Sequence, residues 1–263
     1  MLSDYIVQFD IYSWQIISLI FFAGFFAGFI NTFAGSGTAI NYFLFAILGI
    51  PMNVASGTVR LGVIMQVIPI SYNFYKKGEL DIVKGIYISI PVTLGAILGA
   101  EIAVNIDIGA FEKLIGGVLL VMLFFLFYKP DRWIEGKKVL STRKVTIGHL
   151  LIYFVLGIYG GFLHIGFGIF MIAALVWVSG YDLVKAMAIK IFVVLIYTPF
   201  VFLIFVLHDQ VEFLIGFITG LGNLVGGLLA ASMAIKWGAG FVRWILITVL
   251  LVFSLKLFGI INF

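Results

Sequence analysis

Residues 24–37 read GFFAGFINTFAGSG, and the fold turns on how that stretch is taken. The chain is apolar from Trp14 to Ile50 but is punctured at Gly35, Ser36 and Gly37. Backbone that leaves regular helix inside hydrocarbon exposes N–H and C=O groups that lipid cannot satisfy. It survives there only where protein or a water-filled cavity surrounds it. The second arm, residues 38–48, is short, because crossing a roughly 30 Å hydrocarbon core takes about 20 helical residues. The two arms form either two crossings or a re-entrant hairpin meeting near the midplane. Both arrangements return the chain to the side on which it began.

The composition agrees with a lipid solvent. Of 263 residues, 63% are hydrophobic and 11% charged, with 28 Phe and 30 Gly, and the mean hydropathy is +1.22. A soluble domain would carry about 25% charged residues. The opening MLSDYIVQFDIYSW lacks the basic flank of a secretory signal, so the first apolar segment is expected to be retained. Cysteine is absent, which excludes disulfides and thiolate metal sites. The formal charge of +4 sits largely in short loops. That placement sets membrane orientation and points to no nucleic-acid partner.

Apolar segments continue at residues 54–74, 82–103 and 108–127, then at 147–162, 167–177, 184–207, 213–235 and 241–258. Between the two sets lies KPDRWIEGKKVLSTRK, residues 129–144. The order of the first half recurs in the second. Gly35 and Gly37 precede Gly166 and Gly168 by 131 residues, and the same spacing joins Ala55 to Ala186, Gly85 to Gly216, Gly95 to Gly226 and Leu98 to Leu229. An ungapped offset across several segments marks an internal repeat. The organisation is a first membrane repeat over 1–128, a cytoplasmic linker over 129–144 and a second membrane repeat over 145–263, together one unit.

Charge sets the relative direction of the halves. The loop at 76–84 carries Lys76, Lys77 and Lys84, whereas its counterpart HDQVE, residues 208–212, has neither Lys nor Arg. At the next loop the bias reverses: the first half has Asp107 and Glu112, the second Lys236 and Arg243. Basic loops stay cytoplasmic, so the halves are expected to be oppositely oriented, with both chain ends external. The expected fold class is an all-α integral membrane protein of inverted repeats with paired broken or re-entrant segments. Secondary transporters build substrate sites at such paired breaks. The four-spaced pairs Gly24/Gly28, Gly95/Gly99, Gly216/Gly220 and Gly222/Gly226 suit close helix contacts.

Polar residues gather at the breaks. Asn31, Thr32, Ser36, Thr38 and Asn41 surround the first, and Asn53, Ser56, Thr58 and Arg60 open the following helix. Gly35 and Gly37 let the chain turn sharply. With Thr38 starting the short helix, its first-turn donors would face a bound anion. A central Arg or Lys costs roughly 2.5–3.5 kcal/mol on insertion scales, and few acidic residues lie inside the apolar runs to pair with Arg60. Lys190 aligns with Val59, one place before Arg60. Two cations near a pseudo-symmetric centre favour anions, Arg60 through paired hydrogen bonds and Lys190 as a point charge. The competing expectation is that both snorkel to opposite interfaces.

His164 lies just before Gly166 and Gly168 in GGFLHIGFG, and reads as an anion ligand, a proton relay or an internal hydrogen-bond partner. Gln66 and Asn223 either line a cavity or stitch helices together. The candidate substrate-binding residues are Asn31, Ser36, Gly37, Thr38, Thr58, Arg60, His164, Gly166, Gly168 and Lys190. His149 and His208 lack ligand-like spacing, so no metal site is expected. No nucleophile–base pair stands out, so no catalytic residue and no cofactor are expected either.

The segment GFINTFAGSG followed by GIPMNVASGT, with the weaker GGFLHIGFG copy, resembles the sulfite exporter TauE/SafE family of membrane permeases across nearly the whole chain. A Gly-rich first motif and a small-residue GT motif after a Pro-containing turn are characteristic of that family. Gly35, Gly37, Gly57 and Thr58 occupy those positions here. The resemblance implies transport of small sulfur-containing anions such as sulfite, or of organosulfonates and organic acids, across the cell membrane. The second motif departs from the family's Gly cluster, placing His164, Phe167 and aliphatic residues around Gly166 and Gly168.

The expected function is secondary transport of a small anion by alternating access, in a multi-pass protein whose other partner is the lipid bilayer. Coupling to a proton or to the membrane potential stays open, and the sequence carries no signal for an oligomeric state. An anion channel and a non-transporting membrane scaffold are the alternatives. Sustained single-channel currents would mark the first, and absence of anion counterflow the second.

Overall fold

A computed structural model describes residues 13–33, 35–106 and 147–257, with side chains as far as residue 237. The expected segment at 108–127 and the linker at 129–144 lie outside the described residues. Among the described residues there are eight helices and no strand: α1 (Trp14–Phe33), α2 (Thr38–Ile47), α3 (Met52–Lys76), α4 (Ile82–Asn105), α5 (Ile147–Phe162), α6 (Phe167–Trp177), α7 (Leu183–Leu207) and α8 (Phe213–Leu257). Helix is what an apolar solvent demands, since each backbone donor finds its acceptor within the segment. α1, α3, α4, α7 and the Phe213–Trp237 part of α8 are long and apolar enough to cross a membrane. α2 and α6, with 10 and 11 residues, reach only about half the hydrocarbon thickness at 1.5 Å per residue.

The short helices follow the two expected breaks, starting 129 positions apart, and the 131-residue offset recurs at the longer helices. α3 and α7 begin and end 131 positions apart, as do the starts of α4 and α8. Left-handed backbone recurs at the same offset: Gly35 and Gly166 both have φ 70°, Gly49 and Gly180 have 76° and 75°, and Gly78 and Asp209 have 74° and 55°. These positions end one helix and redirect the chain into the next. One boundary differs from the sequence reading, which separates 213–235 from 241–258. The helix runs unbroken from Phe213 to Leu257, because Gly238 and Gly240 each cost a helix only about 1 kcal/mol and no proline intervenes.

The halves exchange helices. α1 and α3 pack with α8 of the second half, and α5 and α7 with α4 of the first; α2 lies against α1 and α3, and α6 against α5 and α7, giving two four-helix bodies that meet chiefly along α3 and α7. Glycine makes the tightest seams. A methyl group on Gly24 or Gly28 of α1 would strike the backbone of Thr219 or Asn223 on α8, and one on Gly222 or Gly226 would strike Phe21 or Phe25 in return. On the other side, Gly95 and Gly99 of α4 meet Phe154 and Ile158 of α5, while Gly157 and Gly161 meet Val92 and Ala96. Helix association in lipid gains from such backbone approach because lipid removes the hydrophobic drive. Gly216 and Gly220 of α8 meet α3 at Leu61 and Met65, so all four spaced pairs lie at helix contacts.

Contacts at the helix ends follow the same exchange. Lys84 at the start of α4 holds its ammonium 5.5 Å from the Tyr181 ring, beside the start of α7. At the start of α8, the Glu212 N–H donates to Thr58 Oγ1 near the start of α3, at 2.9 Å. Asp81 and Asp182 cap α4 and α7, accepting from the amides of Lys84 and Lys185 at 3.1 and 3.0 Å. Outward-facing Phe22, Phe26, Tyr87, Leu94, Leu98 and Phe217 are exposed, as suits a lipid-facing surface.

Candidate functional site

The two breaks meet at the centre. Gly35 and Gly168 touch backbone to backbone, so that a methyl group on either would collide with the Cα of the other. Gly35 and Gly166 supply the left-handed turns. Gly37 does not turn the chain sharply, contrary to the sequence reading: its φ of −59° is ordinary right-handed backbone. Glycine is required there because α1 passes too close for a side chain, at the carbonyl of Ala27. His164 holds φ 60°, a strained region for a residue with a Cβ. Its Nδ1 shares a hydrogen bond with the Tyr197 hydroxyl at 2.8 Å.

Neither cation reaches an interface. Arg60 is 0% exposed and Lys190 3%, so the snorkelling alternative is overturned. Nor does either meet a carboxylate within ion-pair distance among the described residues. Lys190 Nζ donates to the carbonyls of Asn31 and Thr32 at the end of α1, at 2.9 and 3.0 Å. Arg60 Nη1 donates to the Gly160 carbonyl at 3.3 Å and Nη2 to that of Gly161, at the end of α5. The Phe205 ring lies 5.0 Å from the guanidinium carbon. The last carbonyls of a helix have no intrahelical donor and carry the negative end of its dipole. A break in the bundle therefore creates the acceptors that hold a cation without a counter-ion.

A small cavity opens at this centre. Asn31, Thr32, Gly35 and Gln66 line it from the first half, and His164, Phe167, Gly168, Lys190, Ile191 and Val194 from the second, with Val67 completing the wall. Its volume of about 10 Å³ is room for roughly a single water. Gln66 Nε2 donates to the Gly28 carbonyl and to Thr32 Oγ1, at 2.9 and 3.0 Å, and Gln66 Oε1 accepts from Asn31 Nδ2 at 3.4 Å.

Of the sequence-predicted residues, Asn31, His164, Gly168 and Lys190 thus share one cavity. Arg60, Gly37 and Gly166 stand outside its lining. Ser36 and Thr38 are buried at the start of α2, and their hydroxyls find no partner among the described residues. Thr58 is committed to the Glu212 amide, away from the cavity. Sequence reasoning missed three tyrosines around the second break. Besides Tyr197, Tyr42 donates to the Leu163 carbonyl at 3.1 Å and Tyr159 to that of Ile165. One signal was available: Tyr197 falls 131 residues after Gln66, and each binds its own half's break.

Broken helices meeting at a buried cationic cavity inside an apolar helical bundle define a class, the multi-pass membrane transporters. Over residues 20–257 the chain matches the sulfite exporter TauE/SafE family, and it belongs to that family. It is 28% identical over 229 residues to a probable membrane transporter protein of Haemophilus influenzae, covering 87% of this chain and 89% of the relative. It is 24% identical over 245 residues to the probable membrane transporter protein ORF9 of a Sinorhizobium species, covering 93% of each. No solved structure matches the chain.

Proposed function

We propose that this membrane transporter carries small sulfur-containing or organic anions, sulfite or an organosulfonate among them, by alternating access across the cell membrane. In this reading its two halves are inserted in opposite orientations. The observation that carries the proposal is Lys190, buried beside the cavity between the breaks and balanced by carbonyls, with no carboxylate in ion-pair distance among the described residues. A fixed carboxylate would neutralise the site for anions; neutral carbonyl acceptors leave its positive charge available. The Asn31 amide adds a neutral donor at the same wall. The buried hydroxyls of Ser36 and Thr38 at the start of α2 offer further donors once the chamber widens, as a transported oxoanion requires.

The small size of the cavity, about 10 Å³, supports a carrier over a continuous pore, which would need an open path through the bundle. The test is counterflow in proteoliposomes loaded with sulfite, a small sulfonate or a short carboxylate, using the full chain and the Lys190→Ala and Arg60→Ala variants. Saturable exchange of at least one anion is expected, with loss of affinity or flux in both variants while the folded yield persists. Absence of exchange for all three anions would sink the proposal, and sustained single-channel currents would replace the carrier with a channel.

A further inference from the structure

Arg60 and Lys190 make the same contact in opposite directions. Arg60 belongs to the body of α1, α2, α3 and α8, yet it donates to the carbonyl end of α5 in the other body. Lys190 belongs to the body of α4 to α7, yet it donates to the carbonyl end of α1 in the first. Within each body the glycine seams bring backbones into contact, which leaves helices little freedom to slide. Between the bodies, these two cations cross the boundary, each seated on the broken helix of its opposite number.

We infer that Arg60 and Lys190 are reciprocal latches that hold the two exchanged bodies closed, and that an anion opens the boundary by taking over the donors of Lys190. The inference rests on the reading of Lys190 as the anion's ligand. Lys190 lines the cavity, so an arriving oxoanion competes there with the Asn31 and Thr32 carbonyls. A charged acceptor outcompetes a neutral one for an ammonium. Once those carbonyls lose the ammonium, the end of α1 is held less firmly to α7. Arg60 lies outside the cavity lining, so it acts as a positioning residue on the second break, which leads directly into His164. The moving bodies are therefore the exchanged four-helix sets, not the two sequence halves.

The test uses the full chain in proteoliposomes, with a single reporter, Val194→Cys, in the cavity wall. The natural sequence has no cysteine, so the reporter has no background. Its rate of modification by a membrane-impermeant thiol reagent is measured without any anion and then with sulfite. Hydrogen bonds to charged donors each bias an equilibrium by roughly a decade or more, so Lys190→Met and Arg60→Met are each expected to speed labelling about tenfold or more without anion. Lys190→Arg and Arg60→Lys keep the charge and a carbonyl-directed donor, and are expected to label as slowly as the parent reporter.

Unchanged labelling in folded Met variants would overturn the latch, as would conservative variants that label fast. Should the Met variants fail to fold, Lys190→Gln and Arg60→Gln, which remove the charge but keep a polar side chain, take their place, with faster labelling expected and unchanged labelling overturning the latch. Faster labelling in the Met variants, beside a parent reporter whose labelling sulfite does not change, would keep the contact between the bodies but overturn its opening by an anion, while counterflow separately decides whether an anion is carried. The two readings therefore fail separately.

Discussion

At the scale of single residues, a buried charge in this bundle is tolerated because a neighbouring helix has been cut short. Lys190 and Arg60 sit against carbonyls that have no donor in their own helix. Glu212 is the opposite case. It is buried at the start of α8, beyond the spans, and burial holds its carboxyl above the usual carboxylate range. The folded chain then binds a proton at pH values where the unfolded chain has already lost it. Stability contributed by the neutral form is present below the ordinary carboxylate range and falls as pH rises toward the raised value. Glu212→Gln keeps the shape and removes the titration. It is expected to melt above the parent at neutral pH and together with it in acid. Thermal melts of the detergent-purified protein across that pH range check this, and a lower melting temperature at neutral pH would refute it.

At the scale of elements, the decisive features are the turns between helices, and their glycines differ in what they contribute. Gly78 has φ 74° and no atom within 4 Å of the place a methyl group would take, so Gly78→Ala should cost only the left-handed backbone penalty of about 1–2 kcal/mol. Gly35 has nearly the same φ but meets the Cα of Gly168. Gly35→Ala therefore adds a backbone collision at the centre of the molecule, and should melt far below Gly78→Ala or fail to accumulate. Equal melting temperatures would show that the central contact carries no weight. The breaks, the 131-residue offset and the four-spaced glycine pairs were legible in the sequence, because chain termination and close packing depend on residue type and spacing. The seating of Arg60 on α5 was not, because its acceptors are backbone carbonyls, which every residue has, and they lie 100 and 101 positions away. The cavity likewise depends on which helix of the other half lies alongside, and the exchange of α4 and α8 has no local signature.

At the scale of the whole molecule, the equivalence of the halves and their orientation are separate questions, and the second makes a sharp prediction. The loop carrying Lys77 and the loop carrying His208 follow equivalent helices, α3 and α7. Both residues are exposed. The basic loop is expected on the cytoplasmic face by its charge, and opposite insertion of the halves places the equivalent loop on the far face. Two pair contacts support that arrangement: the start of α4 stands beside the start of α7, and the start of α8 beside that of α3. Each pair thus joins the turn of one half's helix hairpin to the incoming end of the other half's. Because the chain contains no cysteine, Lys77→Cys and His208→Cys can each be read without background. In intact cells an impermeant thiol reagent should modify His208→Cys and spare Lys77→Cys, and inside-out vesicles should reverse the result. Modification of both positions from one face would mean that the halves are inserted in parallel. In that case the exchanged bodies could not present a common site alternately to the two sides, and alternating access through this cavity would have to be abandoned.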